Sequence, residues 1–495
     1  MRIKNQIRIF KALLVITFLT AGFHSAGAQE SKSGLDEKNF LSLKGCVKFA
    51  VDNSFVVKLA KLDFLIEETE LGKDEAVFDT TLFANIGHSE DKRESLSVFG
   101  PGKVKTTPYT AGASKKFPAG TKLTLSVSDT RTWNDSEYVS QNPSHTAVAA
   151  LEARQPLAKN LFGQIDRQNI SMTKLVIQNA DLLTKERIET LIAEVEKAYW
   201  EWLYFEENSD IYCRILERAK RLHKVNASNY DLGRIEKGDF LASQANVLRK
   251  ETDLAIAENK YRQAEEKIKL LMNMDAELRI HPAEKLRHHK IEYRLDNCLQ
   301  TAFQKRRDYK MAKKDMEIRN IDLKIKVNER WPEIDLTASF AANGIDSDFS
   351  KAAGKIDEDN SYYYAGVEIS FPLENNRARS AFKRARHNKE KALILIKKLE
   401  REIITEIGDA FRNYSTYGIN LTRVKKTARL QQEKLKEEEK RFNYGRSNTK
   451  KLIDYQQDDL RAQLEVSLGM LAYELSRVNL EKALNIILEK YEDKV

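Results

Sequence analysis

LKGCVKFAVDNSFVVKLAKLDFLI, residues 43–66, aligns without a gap to LDNCLQTAFQKRRDYKMAKKDMEI, residues 295–318. The identical pairs are Leu43/Leu295, Cys46/Cys298, Ala50/Ala302, Lys58/Lys310, Ala60/Ala312, Lys61/Lys313, Asp63/Asp315 and Ile66/Ile318. Later matches keep the same order: Pro156-Leu157 with Pro372-Leu373, then Tyr230-x-x-Gly233-Arg234 with Phe442-x-x-Gly445-Arg446. A duplication of roughly 200 residues is too long for a solenoid repeat and implies two similar halves packed about a pseudo-twofold or ring axis. The first half is read as residues 29–278 and the second as 295–495, joined by a connector at 279–294.

Ahead of the first half, Arg2, Lys4, Arg8 and Lys11 precede an apolar run at 12–23 and the small-residue triplet Ala26-Gly27-Ala28. This pattern predicts a signal peptide over 1–28, cleaved near Ala28. The apolar run is short of the roughly 20 residues a membrane-spanning helix requires, which argues against an uncleaved anchor. Removing the four leader cations from a formal charge of +9 leaves +5, too little to suggest nucleic-acid binding. Cys46, Cys213 and Cys298 form no C-x-x-C pair, so neither a disulfide scaffold nor a thiolate metal site is expected. Cys46 and Cys298 occupy equivalent apolar positions and read as core.

The prolines leave 157–281 and 373–495 as long proline-free stretches rich in Glu, Lys, Leu, Ala and Arg, which predicts continuous helix. Leu191, Val195, Ala198, Trp202 and Phe205 step by 4, 3, 4, 3, as do Ile403, Ile407, Ala410, Tyr414 and Tyr417, each 212 residues after its partner. The second seam continues through Leu421, Val424 and Ala428. Heptad spacing sustained in this way predicts coiled-coil hairpins in both halves, with tips near 229–240 and 441–452.

Between the helices the period becomes two. Leu123, Leu125 and Val127 alternate with polar residues, as do Ile334, Leu336, Ala338 and Phe340, and again Tyr363, Ala365, Val367, Ile369 and Phe371. The β regions are placed at about 80–157 and 333–373. Strands apolar on one side and polar on the other cross an outer membrane as part of a closed barrel, or form a soluble hairpin with one face on a core. Export and the lack of any other apolar span favour the barrel. The offset between halves falls from 252 to 216 across a Gly-, Pro-, Ser- and Thr-rich stretch at 87–145, so the first half carries an insertion there. The strand at 121–128 lies inside it, either as a hairpin above the membrane or as part of the wall.

The duplicated opening, Gln155-Pro156-Leu157 with Gly163, Phe371-Pro372-Leu373 with Arg377, and the turns at Gly233 and Gly445 occur in an order that resembles the outer membrane efflux protein family, TolC-like outer membrane factors. The resemblance covers nearly the whole chain after the leader. It implies a mainly α protein with a β-barrel portion: a homotrimer in which four strands per protomer close a twelve-stranded barrel in outer-membrane lipid, above a tapering periplasmic tunnel of helical hairpins. It also implies a periplasmic adaptor, or membrane fusion protein, and an inner-membrane transporter as partners. The family's gate lies at the hairpin tips. Here it would involve Tyr230, Gly233, Arg234, Asp239, Phe442, Gly445, Arg446 and Asp454, with the two aspartates forming an anionic ring. Lys451, beside Lys450, stands where the family often has another acid, which suggests mixed charge at the mouth.

No H-E-x-x-H, G-x-S-x-G or P-loop motif is present, and the one histidine pair, His288-His289, lies in a basic connector without acidic or thiol ligands. No enzyme, cofactor or metal is therefore expected. Two functions remain: a passive exit duct of a tripartite efflux pump or type I secretion system, and an exported periplasmic coiled-coil structural or adhesive protein without a pore. Equivalent strand pairs in both halves favour the duct, since a filament needs none.

Overall fold

Ser42 and Ser54 decide where the first two helices begin. The Ser42 hydroxyl accepts the Gly45 N–H at 3.2 Å to open α1 (Leu43–Asn53), and Ser54 accepts the Val56 N–H at 3.2 Å to open α2 (Phe55–Glu75). In the second half the equivalent break falls at Arg306, between α5 (Leu295–Lys305) and α6 (Arg307–Asn328). Arg306 supplies no cap, and its guanidinium instead pairs with Asp308 and Glu406, each at 2.7 Å. The computed structural model describes residues 40–94, 100–288 and 291–491, and Leu41–Val495 forms one compact unit. The expected leader with its cleavage position near Ala28, and His289, lie outside the described residues.

Two helices of 68 residues, α3 (Gln164–Asp231) and α8 (Asn376–Asn443), dominate the molecule, and both ends are related by the 212-residue offset. Each extends about 100 Å at 1.5 Å per residue. α4 (Lys237–Met272) and α9 (Thr449–Ala483) return along them, and α7 (Phe349–Gly354) is a short helix between two strands. The heptad seams form the cores. Leu191, Val195, Ala198 and Trp202 bury against Cys46, Ala50, Ile268 and Met272, while Ile403, Ile407, Tyr414 and Leu421 bury against Cys298, Ala302 and Leu480. Each such aliphatic side chain contributes roughly 1.5–3 kcal/mol. Burial pushes the Cys46 thiol up to about 12, as befits a core residue.

Arg477 binds the halves together. It lies 2.7 Å from both Glu474 and Glu481 and 3.8 Å from Glu196 on α3, all of them buried. The same region holds Arg307 against Glu189 and Lys490 against Glu196 at 3.1 Å.

Above this region the helices stand in the row α2–α3–α6–α8. Thr184 donates to the Ala60 carbonyl at 3.1 Å, Asn179 to Asp315 at 3.2 Å, and Tyr309 to Glu400 at 3.0 Å, linking each helix to the next. Every helix of the row continues into a strand. α2 leads to β1 (Thr80–Ile86), β5 (Ser144–Pro156) leads to α3, α6 leads to β6 (Glu333–Asp346), and β7 (Ser361–Ser370) leads to α8. The insertion supplies β2 (Ser89–Asp91), β3 (Val104–Lys116) and β4 (Lys122–Asn134).

The antiparallel sheet has the order β1-β3-β4-β5-β6-β7, with the short β2 beside β3. Within the protomer six strands lie side by side, because the insertion adds β3 and β4 between β1 and β5. Its level is fixed by one unbroken row: Leu82 opposite Ala113, Ala113 opposite Leu125, Leu125 opposite Leu151, Leu151 opposite Phe340, and Phe340 opposite Tyr363. The turn of the inserted hairpin, residues 117–121, rests on the strand-to-helix motif of the first half. Gln155 meets Thr121 at 2.5 Å and donates to the Ala119 carbonyl at 3.3 Å, Leu157 donates to Ile334, and Arg167 donates to the Pro118 carbonyl at 2.7 Å. Gly163 has φ +69°, and a Cβ there would lie 2.4 Å from the Pro118 oxygen, so only glycine fits. In the second half Phe371 and Leu373 are exposed, and no hairpin covers them.

The hairpin tips as candidate functional site

Both hairpins reverse through the same hydrogen-bond pattern. Gly233 donates to Tyr230 at 2.8 Å and Arg234 to Asn229 at 2.8 Å; Gly445 donates to Phe442 at 3.0 Å and Arg446 to Arg441 at 2.9 Å. These are the paired bonds of a Schellman ending, which requires the left-handed residue supplied by each glycine at φ +66°. Nothing lies within 4 Å of where a Cβ would sit, so the glycines serve the turn and not a close contact.

Tyr230 stacks on Phe240 with ring centroids 5.2 Å apart, and Phe442 packs on the buried cluster of Leu222, Leu435 and Leu452. Both aromatics thus pack within the protomer. That cluster joins the two tips, as does buried Asn226, which donates to the Thr449 hydroxyl at 3.1 Å. Farther from the tips on the same helices, Arg218 pairs with buried Asp459 at 2.9 Å, and Lys250 donates to Gln457 at 2.8 Å.

Asn448 caps α9 by accepting the Lys451 N–H at 2.9 Å. The Lys451 ammonium lies 3.4 Å from Glu438 on α8 and 5.6 Å from the Tyr455 ring. Glu438 is only 2 % exposed and also accepts from the Ser447 hydroxyl. The Ser447 hydrogen bond and the Lys451 charge hold its carboxyl below the usual range. Sequence reasoning missed Glu438, which sits within a run of three glutamates at 437–439 where nothing marks one as buried.

Asp454 is exposed and Asp239 half-buried, and neither makes an ion pair or side-chain hydrogen bond among the described residues. Arg234, Arg446 and Lys450 are exposed beside them. The tips therefore present acids and cations together, with Lys451 tied back to its own hairpin. Among the described residues no cluster of His, Cys, Asp and Glu could hold a metal ion.

The family model described as outer membrane efflux protein matches residues 111–274 and 298–485, more than half of the chain. No curated protein matches the sequence. Solved structures with this fold include the CmeC outer membrane channel of Campylobacter jejuni, at 14% identity and a TM-score of 0.67, covering 90% of this chain and 85% of that one. The MtrE outer membrane channel of Neisseria gonorrhoeae, described in its open state, matches at 17% identity and 0.65, covering 90% and 88%. The outer membrane protein VceC of Vibrio cholerae matches at 13% and 0.65, covering 90% and 96%.

Proposed function

From the chain's membership of the outer membrane efflux protein family, and hence its place among outer-membrane efflux channels, we propose that three copies form a passive exit duct gated at the periplasmic hairpin tips. The duct serves a tripartite efflux pump or type I secretion system. The observation that carries this reading is the continuity of helix and strand: the row α2–α3–α6–α8 feeds β1, β5, β6 and β7 in the same order. One protomer is thus a stave whose upper part is sheet and whose lower part is helical hairpin.

The stave cannot satisfy itself alone. The sheet ends in unpaired strands β1 and β7, and unpaired backbone groups facing lipid cost several kcal/mol each. With an even number of strands the two edges run in opposite directions, so β7 of one copy can pair antiparallel with β1 of the next and close a ring. The exposed charged tips offer a docking end for a periplasmic adaptor, which in turn engages an inner-membrane transporter that supplies the energy. The leader at 1–28 directs export.

Fractionation followed by planar-bilayer recording tests the reading. Outer-membrane recovery together with discrete conductance steps is expected. A protein found free in the periplasm that forms no channel would show it to be a coiled-coil structural protein instead.

A further inference from the structure

We propose that the inserted hairpin β3–β4 is part of the transmembrane wall, so that three copies at six strands each close an eighteen-stranded barrel. This rests on the trimeric duct reading and goes beyond it, because a hairpin standing above the membrane would leave a barrel of twelve.

Three observations place the hairpin in the wall. First, β1 pairs with β3 and β5 with β4 along their lengths, so the hairpin separates β1 from β5 at every level where they could otherwise have met. Second, β4 carries the two-sided pattern of its neighbours over residues 123–128, between Lys115 of β3 at one end of that face and Asp129 and Arg131 at the other. Leu123, Leu125 and Val127 share the face of Leu82, Leu151 and Val367, whereas Thr124, Ser126 and Ser128 share the polar face of Glu152, Thr337 and Glu368. Leu82, Leu125, Val127 and Val367 are 79%, 57%, 50% and 58% exposed, so no protein covers this band; nearer the loop end α7 packs over the same face, at Gly344 and His145. A ribbon standing in water would leave these leucines and valines wet, while lipid solvates them. Third, the widths agree. Four helices at roughly 10 Å spacing span an arc of about 40 Å. Six strands at 4.8 Å and a tilt of about 45° span about 40 Å as well, but four would span only about 27 Å. With six strands the stave keeps one width from tunnel to membrane.

The wall position is tested by cysteine scanning in reconstituted liposomes. The background carries Cys213→Ser, which leaves only the buried Cys46 and Cys298. Leu125→Cys, Ser126→Cys, Val127→Cys and Ser128→Cys probe β4, and Val367→Cys and Glu368→Cys serve as controls on β7. Each is read by reaction with a water-soluble thiol reagent and, after fluorophore attachment, by quenching from lipid-borne spin labels. Positions 125 and 127 are expected to be quenched and to lose aqueous labelling to the level of position 367. Positions 126 and 128 are expected to behave like 368. Uniform aqueous labelling of all four β4 positions, with alternating controls, would overturn the proposal and put the hairpin outside the membrane. Controls that fail to alternate would defeat the barrel itself.

Discussion

At the scale of single residues, charge placement separates side chains that hold the fold from side chains that act at the mouth. Arg477→Ala removes the buried cation shared by Glu196, Glu474 and Glu481 and leaves Lys490 to pair with Glu196 and Glu481. A loss of about 3–5 kcal/mol is expected in denaturant unfolding of the purified protein, and Arg477→Lys restores only part because it cannot reach several acids at once. Glu206 is a milder case. Burial, then Asp210 and Glu207, push its carboxyl up to about 7. A folded value raised above the unfolded one means that its contribution is complete below pH ~4.5 and is lost as the pH climbs through about 7. Glu206→Gln is therefore expected to stabilise the protein above pH 7, by on the order of 1 kcal/mol once partial exposure is discounted, and to flatten the melting temperature between pH 5 and 8. At the tip, Lys451→Glu removes the cation from Glu438 and sets a second carboxylate near it. The change is repeated in each protomer around the ring. Higher conductance and stronger cation preference are expected, more so at low salt; bilayer currents unchanged for both Lys451→Glu and Asp454→Ala would place the gate elsewhere. Glu438 works in the opposite pH sense to Glu206: its carboxyl is held low, so its bonds persist above the ordinary carboxylate range and fail on acidification.

At the scale of elements, the duplicated turns test the reading of the glycines. Both lie in open space at φ +66°, so Gly233→Ala and Gly445→Ala meet no clash and carry only the left-handed backbone penalty, about 1–2 kcal/mol each. Thermal melts are expected to show equal and additive losses; a much larger loss for one of them would reveal a contact between neighbouring protomers. The helices were legible because heptads and a fixed offset state a period twice over. Strands β4, β6 and β7 were legible for the same reason, since Leu, Val, Ile and Phe mark one face. β3 was not. On the face it shares with Leu125 it carries Tyr109, Ala111, Ala113 and Lys115, with Pro108 and Gly112 between them, so hydrophobicity alone shows no alternation. Its identity comes from partners on both sides, which are long-range information. The mouth was half legible for a similar reason: the turn glycines announce themselves, but the burial of Glu438 depends on Ser447 and Lys451 folding back over it.

At the scale of the whole molecule, the open sheet edges and the half-exposed seams require company. A trimer in mild detergent is expected by light scattering, dissociating on heating, and a folded monomer would leave β1 and β7 unpaired and contradict the duct. A peptide tag placed at residues 355–357, in the connection between β6 and β7, is expected to bind antibody on intact cells, while a tag beside Gly445 is not. The inserted hairpin carries a rule of parity. The chain climbs along β1 and must descend along β5 for α3 to continue below the membrane, so any strands added between them come in twos. A single extra strand would deliver the 68-residue α3 to the cell exterior. The wall of such a duct therefore widens in steps of a whole hairpin per protomer, six strands per ring, and its bore is quantised where the lengths of its loops are free to drift.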